Sequence, residues 1–177
     1  MEKNHRPIAA APDALSLTWD EPGNGEIELT ELKQQIAEML DREAIRQLPI
    51  SYARFARTKD VDALVGLYAK DATLDVAENM SMQAGPCSGL EAIRKTLRAD
   101  LPRMDSYPFI HSHHFEMLGN GSAQGFVYIE LQICVEGLGV SYIGCYQDQY
   151  VKEDGVWKFR SRKLCAIPLP APAAGHD

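Results

Sequence analysis

Apolar residues keep a helical period through the first part of this chain and an alternating period through the last part. Helical spacing begins at Thr30. Ile36, Met39 and Leu40 lead into Asp41-Arg-Glu-Ala-Ile45, where Asp41 is placed to cap a helix N-terminus. Ile45, Leu48, Tyr52 and Ala56 then share one face, and Pro49 inside that run predicts a kink or restart, because it has no amide hydrogen to give. Residues 60–68 predict a second short helix and residues 72–76 a first strand, followed by a loop at 80–86. Ser88-Gly-Leu-Glu91 reads as a capping box opening a third helix toward Leu101, closed by Pro102 and Pro108. From Phe109 the period becomes two, broken at Gly119-Asn-Gly121, Gly137-Leu-Gly139 and Asp154-Gly155, each a hairpin signal. Four strands in an antiparallel meander are expected there. Helices first and strands after predict an α+β domain whose helices cover one face of a curved sheet.

The ends are different. Residues 1–29 hold prolines, glycines and acids without a sustained period and predict an arm or a disordered leader, although Leu15, Leu17 and Trp19 alternate as if to pack on a neighbouring subunit. The domain is expected over residues 30–167, with a tail at 168–177.

Composition narrows the function classes. With 177 residues, 45% of them hydrophobic and 24% charged, the chain fits one globular domain. A formal charge of −7 with no basic run longer than Arg160-Ser-Arg-Lys163 argues against nucleic acid and anionic membrane as partners. No apolar run approaches the roughly 18 residues a membrane-spanning helix needs. Cys87, Cys134, Cys145 and Cys165 form no CxxC pair and predict reduced, buried thiols in a cytoplasmic protein. Gly-rich phosphate loops and a Gly-x-Ser-x-Gly elbow are absent, so no cofactor is expected.

The richest chemistry lies in Phe109-Ile-His-Ser-His-His-Phe-Glu-Met-Leu118. Strict alternation puts His111, His113, Phe115 and Met117 on one face and Ser112, His114 and Glu116 on the other. Histidine titrates nearest neutral pH, which suits acid–base work. His113 and His114 on opposite faces make a shared metal ion unexpected.

The segments Asp41-Arg-Glu-Ala-Ile-Arg-Gln-Leu48, Tyr52-Ala-Arg54, Asp62-Ala-Leu64, Leu67-Tyr68, Asp71-Ala72 and Leu74 resemble the opening of SnoaL-like proteins, which belong to the nuclear transport factor 2-like superfamily. Gly144-Cys-Tyr-Gln-Asp148, Asp154-Gly-Val-Trp157 and Arg162 resemble its closing hairpin. The resemblance implies a curved, antiparallel-rich mixed sheet packed against three helices as a conical barrel with an internal pocket. Its dehydratase, dehydrochlorinase and diarylpropane lyase members imply a catalytic histidine at the start of the strand after the third helix, matched by His111. They also imply an aspartate at the end of the first long helix, where this chain has Arg57.

Arg57 either points outward as a helix-end cation or binds a substrate oxygen, with Asp60, Asp62 or Asp75 as candidate replacement carboxylates, Asp75 foremost because Leu74 and Val76 face opposite to it on the first strand. Tyr52 matches a tyrosine that holds a substrate oxygen, and Arg162 matches a pocket-lining arginine. Alternation adds His113, Tyr128, Tyr142 and Tyr146 as candidate substrate-binding residues, with Asp148 on the face of Tyr142 and Tyr146, while Val127, Ile129, Leu131 and Ile133 are expected on an outer face that a homodimer or homotrimer covers. The expected function is a cofactor-independent lyase acting on a small hydroxylated aromatic compound by dehydration, or by dehydration-linked deformylation. An isomerase or cyclase on a polycyclic or steroid-like substrate and a non-catalytic small-molecule binding protein are the alternatives.

Overall fold

The first helix, α1, runs unbroken over Gly25–Thr58 in the computed structural model, which describes residues 25–76, 86–135 and 137–167. It starts five residues before the expected Thr30. The leader containing Leu15, Leu17 and Trp19, nearly all of the loop expected at 80–86 and the tail lie outside the described residues. Two compact units are separated after Ile36. The first contains the opening turns of α1, with Leu29, Leu32 and Ile36 exposed. All that follows concerns the second.

Pro49 does not restart α1. Its ring is fully buried, so packing offsets the lost backbone hydrogen bond. Asp41 caps nothing, because it lies inside the helix; its carboxylate takes a 2.6 Å bond from Lys152, which holds its pKa below the usual carboxylate range. Ile45, Leu48 and Ala56 are buried as the period predicts. Helix α2 (Val61–Gly66) is capped by Asp60, whose side chain accepts from the Ala63 amide. The capping box at Ser88 does not form: Ser88 belongs to a two-residue strand, and Gly89, with φ 81°, is the N-cap of α3 (Leu90–Asp100). A 3-10 turn, Leu101–Arg103, follows.

Among the described residues, six strands make one open mixed sheet: β1 (Tyr68–Val76), β2 (Cys87–Ser88), β3 (Met104–Gly119), β4 (Ser122–Val135), β5 (Leu138–Glu153) and β6 (Val156–Ala166), in the order β2-β1-β6-β5-β4-β3. The expected meander is β3 to β6, and the only parallel pairing among these strands is β1 with β6. Pro108 lies within β3 instead of ending the segment before it; β3 is an edge strand, where a missing amide hydrogen is tolerated. Asn120 and Asp154 take positive φ at two of the three expected hairpins. At Gly125 a Cβ would sit 2.3 Å from the His114 carbonyl oxygen, so only glycine allows β4 to approach β3 this closely.

Two bulges decide which side chains face the core. On β3, Ile110 pairs with Ile129 and Ser112 with Tyr128, leaving His111 as an extra residue. On β6, Phe159 pairs with Tyr150 and Ser161 with Gln149, leaving Arg160 as the extra one. Each bulge resets the alternation. The core lies between the inner face and the helices, and Val127, Ile129, Leu131 and Ile133 belong to it, each no more than 6% exposed. Their expected place on an outer face is therefore reversed, and Phe126 and Tyr128 take it.

Candidate functional site

The second bulge turns Arg162 inward together with Phe159 and Leu164, while Arg160 points out to Asp71. Strict alternation would put Arg160 and Arg162 on one face, and the extra residue separates them. Arg162 is 0% exposed. Its partner is Asp148, directly opposite on β5, which accepts from Nε at 2.8 Å and from Nη2 at 2.6 Å. This forked pairing is the strongest geometry available to an arginine and a carboxylate. Three rings enclose the guanidinium, with Cζ 3.9 Å from the centroid of Phe159, 4.0 Å from Tyr146 and 4.4 Å from Tyr52. Burial opposes the charge on Arg162, but the Asp148 carboxylate outweighs it, and the guanidinium is held more firmly protonated than usual. The period of α1 places Tyr52 over this group, and the alternation of β5 brings Tyr146, Asp148 and Tyr150 to the same face.

The hydrogen bonds continue from Asp148. Tyr150 donates to Asp148 Oδ2 at 3.0 Å, and its hydroxyl oxygen lies 2.9 Å from His113 Nε2. A tyrosine hydroxyl has one proton. Since Asp148 receives it, His113 must donate from Nε2, which leaves Nδ1 as a bare acceptor. Burial pushes His113 down to about 4, with Arg162 and Arg46 adding to the effect and Asp148 opposing it, so the ring is neutral at physiological pH. His113 Nδ1 and Arg162 Nη1 are both buried without a hydrogen-bond partner. Such atoms are uncommon in folded proteins and mark places where a ligand or water supplies the missing bond.

Beside this network lies a cavity of about 50 Å³ between α1, α3 and the sheet. Leu74, Val76, Leu97, Leu101, Leu131 and Leu164 form its apolar wall, and Tyr52, Tyr146 and Asp100 are the ionisable residues along it. It meets the network at Tyr52 and Tyr146. Burial raises the pKa of both tyrosines, only partly countered by Arg162, so both hydroxyls stay protonated as donors. The volume suits one or two waters, so an aromatic ring enters only if lining side chains move.

The other expected site residues are elsewhere. His111 is on the outer face with 60% of its side chain exposed, 3.9 Å from Glu130, so the bulge separates it from His113. Arg57 is exposed over the Tyr107 ring at 5.3 Å, the outward alternative for this residue. Asp75 faces away from the core and pairs with Lys163 at 3.3 Å. Tyr128 is 45% exposed, so it does not join Tyr142 and Tyr146; Tyr142 is half-buried against the core. Tyr150 and Asp100 were not among the expected site residues, and Asp148 was expected only to share the face of Tyr142 and Tyr146. Asp148 had a readable signal, since an arginine turned inward requires a facing carboxylate two positions from Tyr146. Among the described residues no three His, Cys, Asp or Glu side chains converge as metal ligands. None of the described helices is long and apolar enough to cross a membrane.

Comparison with known proteins fits this architecture. The profile of the SnoaL-like domain matches residues 37–163. No curated protein matches the chain. Among solved structures, an NTF2-like protein with a cystatin-like fold from Novosphingobium aromaticivorans shares 22% identity with a TM-score of 0.67, over 83% of this chain and 95% of that one. A candidate scytalone dehydratase from the same organism gives 19% and 0.64, over 81% and 99%. Hexachlorocyclohexane dehydrochlorinase LinA-type3 from Novosphingobium barchaimii gives 18% and 0.67, over 81% and 97%. These identities speak for the fold alone. With the profile covering most of its length, the chain belongs to the SnoaL-like domain family.

Proposed function

We propose that this protein is a cofactor-independent lyase that eliminates water from a small hydroxylated aromatic compound in the cavity between α1, α3 and the sheet. The observation that carries this reading is the pair of protonated tyrosine hydroxyls, Tyr52 and Tyr146, at an apolar cavity and stacked on a wholly buried arginine. A fixed cation behind two hydroxyl donors favours a developing negative charge on oxygen, and no water reorganises to supply it. Tyr52 and Tyr146 donate to the departing or phenolic oxygen. Asp100, the carboxylate among the lining residues, accepts the proton removed from substrate. A phenolic substrate would lose water through a quinone methide, from which loss of formaldehyde is also open.

The likeness of the fold to a dehydrochlorinase and a candidate dehydratase supports elimination as the class. Three ionisable groups at the cavity weigh against a purely binding role, for which an apolar cavity would suffice. The test is a mass-spectrometric screen of hydroxylated aromatic compounds with wild type, Tyr146→Phe and Asp100→Asn. Products lighter by one water, and rates reduced at least about a hundredfold in each variant, are expected. Products of unchanged mass would replace the lyase by an isomerase or cyclase.

A further inference from the structure

Four cysteines are free, and two of them stand directly opposite each other: Cys145 on β5 pairs in register with Cys165 on β6. Both lie on the outer face, since their neighbours Tyr146 and Leu164 point inward, and both are half-buried, within reach of small oxidants. The type of pairing follows from the ladder. Ile167 donates its amide to the Ile143 carbonyl at 2.8 Å, which makes that site a hydrogen-bonded pair, and Cys145 with Cys165, two positions along, is of the same kind. Such pairs hold their Cα atoms about 5.5 Å apart, inside the range of disulfides. Their Cβ atoms, about 4.5 to 5.5 Å apart, must close toward about 3.8 Å, so a bond formed here is strained. Strained disulfides are the readily reduced ones. Burial, with the neighbouring Cys165 adding to it, raises the Cys145 thiol, so Cys145 is the one placed to resolve and not to begin the reaction.

We propose that Cys145 and Cys165 are a modification site: a peroxide oxidises them to a reversible cross-strand disulfide that ties β5 to β6 beside the Asp148–Arg162 pair. One thiolate attacks a peroxide oxygen, giving a sulfenic acid and hydroxide. The second thiolate attacks the sulfenic sulfur, forms the S–S bond and releases the sulfenic oxygen as hydroxide. Two thiols and one peroxide thus become one disulfide and two waters. The new bond lies three residues from Asp148 on β5 and three from Arg162 on β6, so it restrains the strands that position the buried ion pair.

The full chain treated with hydrogen peroxide answers the question without any substrate, so the result is independent of whether the lyase reading survives. Intact mass should fall by two hydrogens, and digestion should give one linked peptide pair, Cys145 with Cys165, forming at least tenfold faster than any link to Cys87 or Cys134. Dithiothreitol should reverse it. Cys145→Ser should leave a sulfenic acid on Cys165 that dimedone captures. Amide exchange in residues 143–149 and 161–166 should slow in the oxidised protein. Linkage through Cys87 or Cys134 at equal rate, separate oxidation of Cys145 and Cys165 without a link, or a link that changes no exchange rate in those strands would overturn the proposal.

Discussion

Arg162 and Asp148 are fully desolvated together, and that makes each depend on the other. A buried forked ion pair adds little net stability compared with apolar residues of the same shape, but removing one partner strands the other charge. Arg162→Met should therefore cost about 3 to 5 kcal/mol in urea denaturation, and Asp148→Leu alone a similar amount. The double variant should recover most of the loss. His113 makes a second prediction. Its folded pKa is about 4 against an unfolded value near 6.5, so below pH 6.5 the unfolded chain takes up a proton that the folded ring refuses. The stability that His113 contributes is complete above pH 6.5 and is lost as pH falls toward 4. His113→Gln should abolish that part of the acid slope, and nitrogen NMR should find the proton on Nε2 down to the same pH.

At the level of elements, the bulges on β3 and β6 explain where the sequence could and could not be read. Helical period placed Ile45, Leu48, Tyr52 and Ala56 correctly, because one long helix has nothing to interrupt its phase. Alternation placed Tyr146 with Asp148, and Leu74 opposite Asp75, for the same reason. It failed at His111 and Arg160, since one extra residue reverses every face beyond it and leaves no trace in composition. The expected pairing of His111 with His113 was thus undone by a single position. Deleting His111 should be tolerated: Ser112 takes the outward position, His113 stays inward, and its pKa, followed by NMR titration, should remain near 4. Gly125→Val should not be tolerated, because its Cβ meets the β3 backbone, and a loss of about 1 to 3 kcal/mol is expected by urea denaturation.

For the whole molecule, the SnoaL-like pattern legible in the sequence led to the right fold but to the wrong face for the histidine it singled out. Arg162 and Tyr52 do meet, through the packing of α1 on the inner face, and Asp148, two positions from Tyr146 on the same face of β5, is the carboxylate that holds the arginine there. The expectation of a dimer or trimer rested on Val127, Ile129, Leu131 and Ile133, which are interior, so that argument no longer supports it. In the proposed function, elimination rests on the two tyrosines over Arg162 and not on His111. The direct measurement is the rate of product formation, by mass spectrometry, from a hydroxylated aromatic substrate found in the screen, compared across wild type, Tyr146→Phe and His111→Ala. The account predicts a product lighter by one water, a loss of at least about a hundredfold for Tyr146→Phe and a rate within about twofold of wild type for His111→Ala. A hundredfold loss in His111→Ala with Tyr146→Phe unaffected would contradict it.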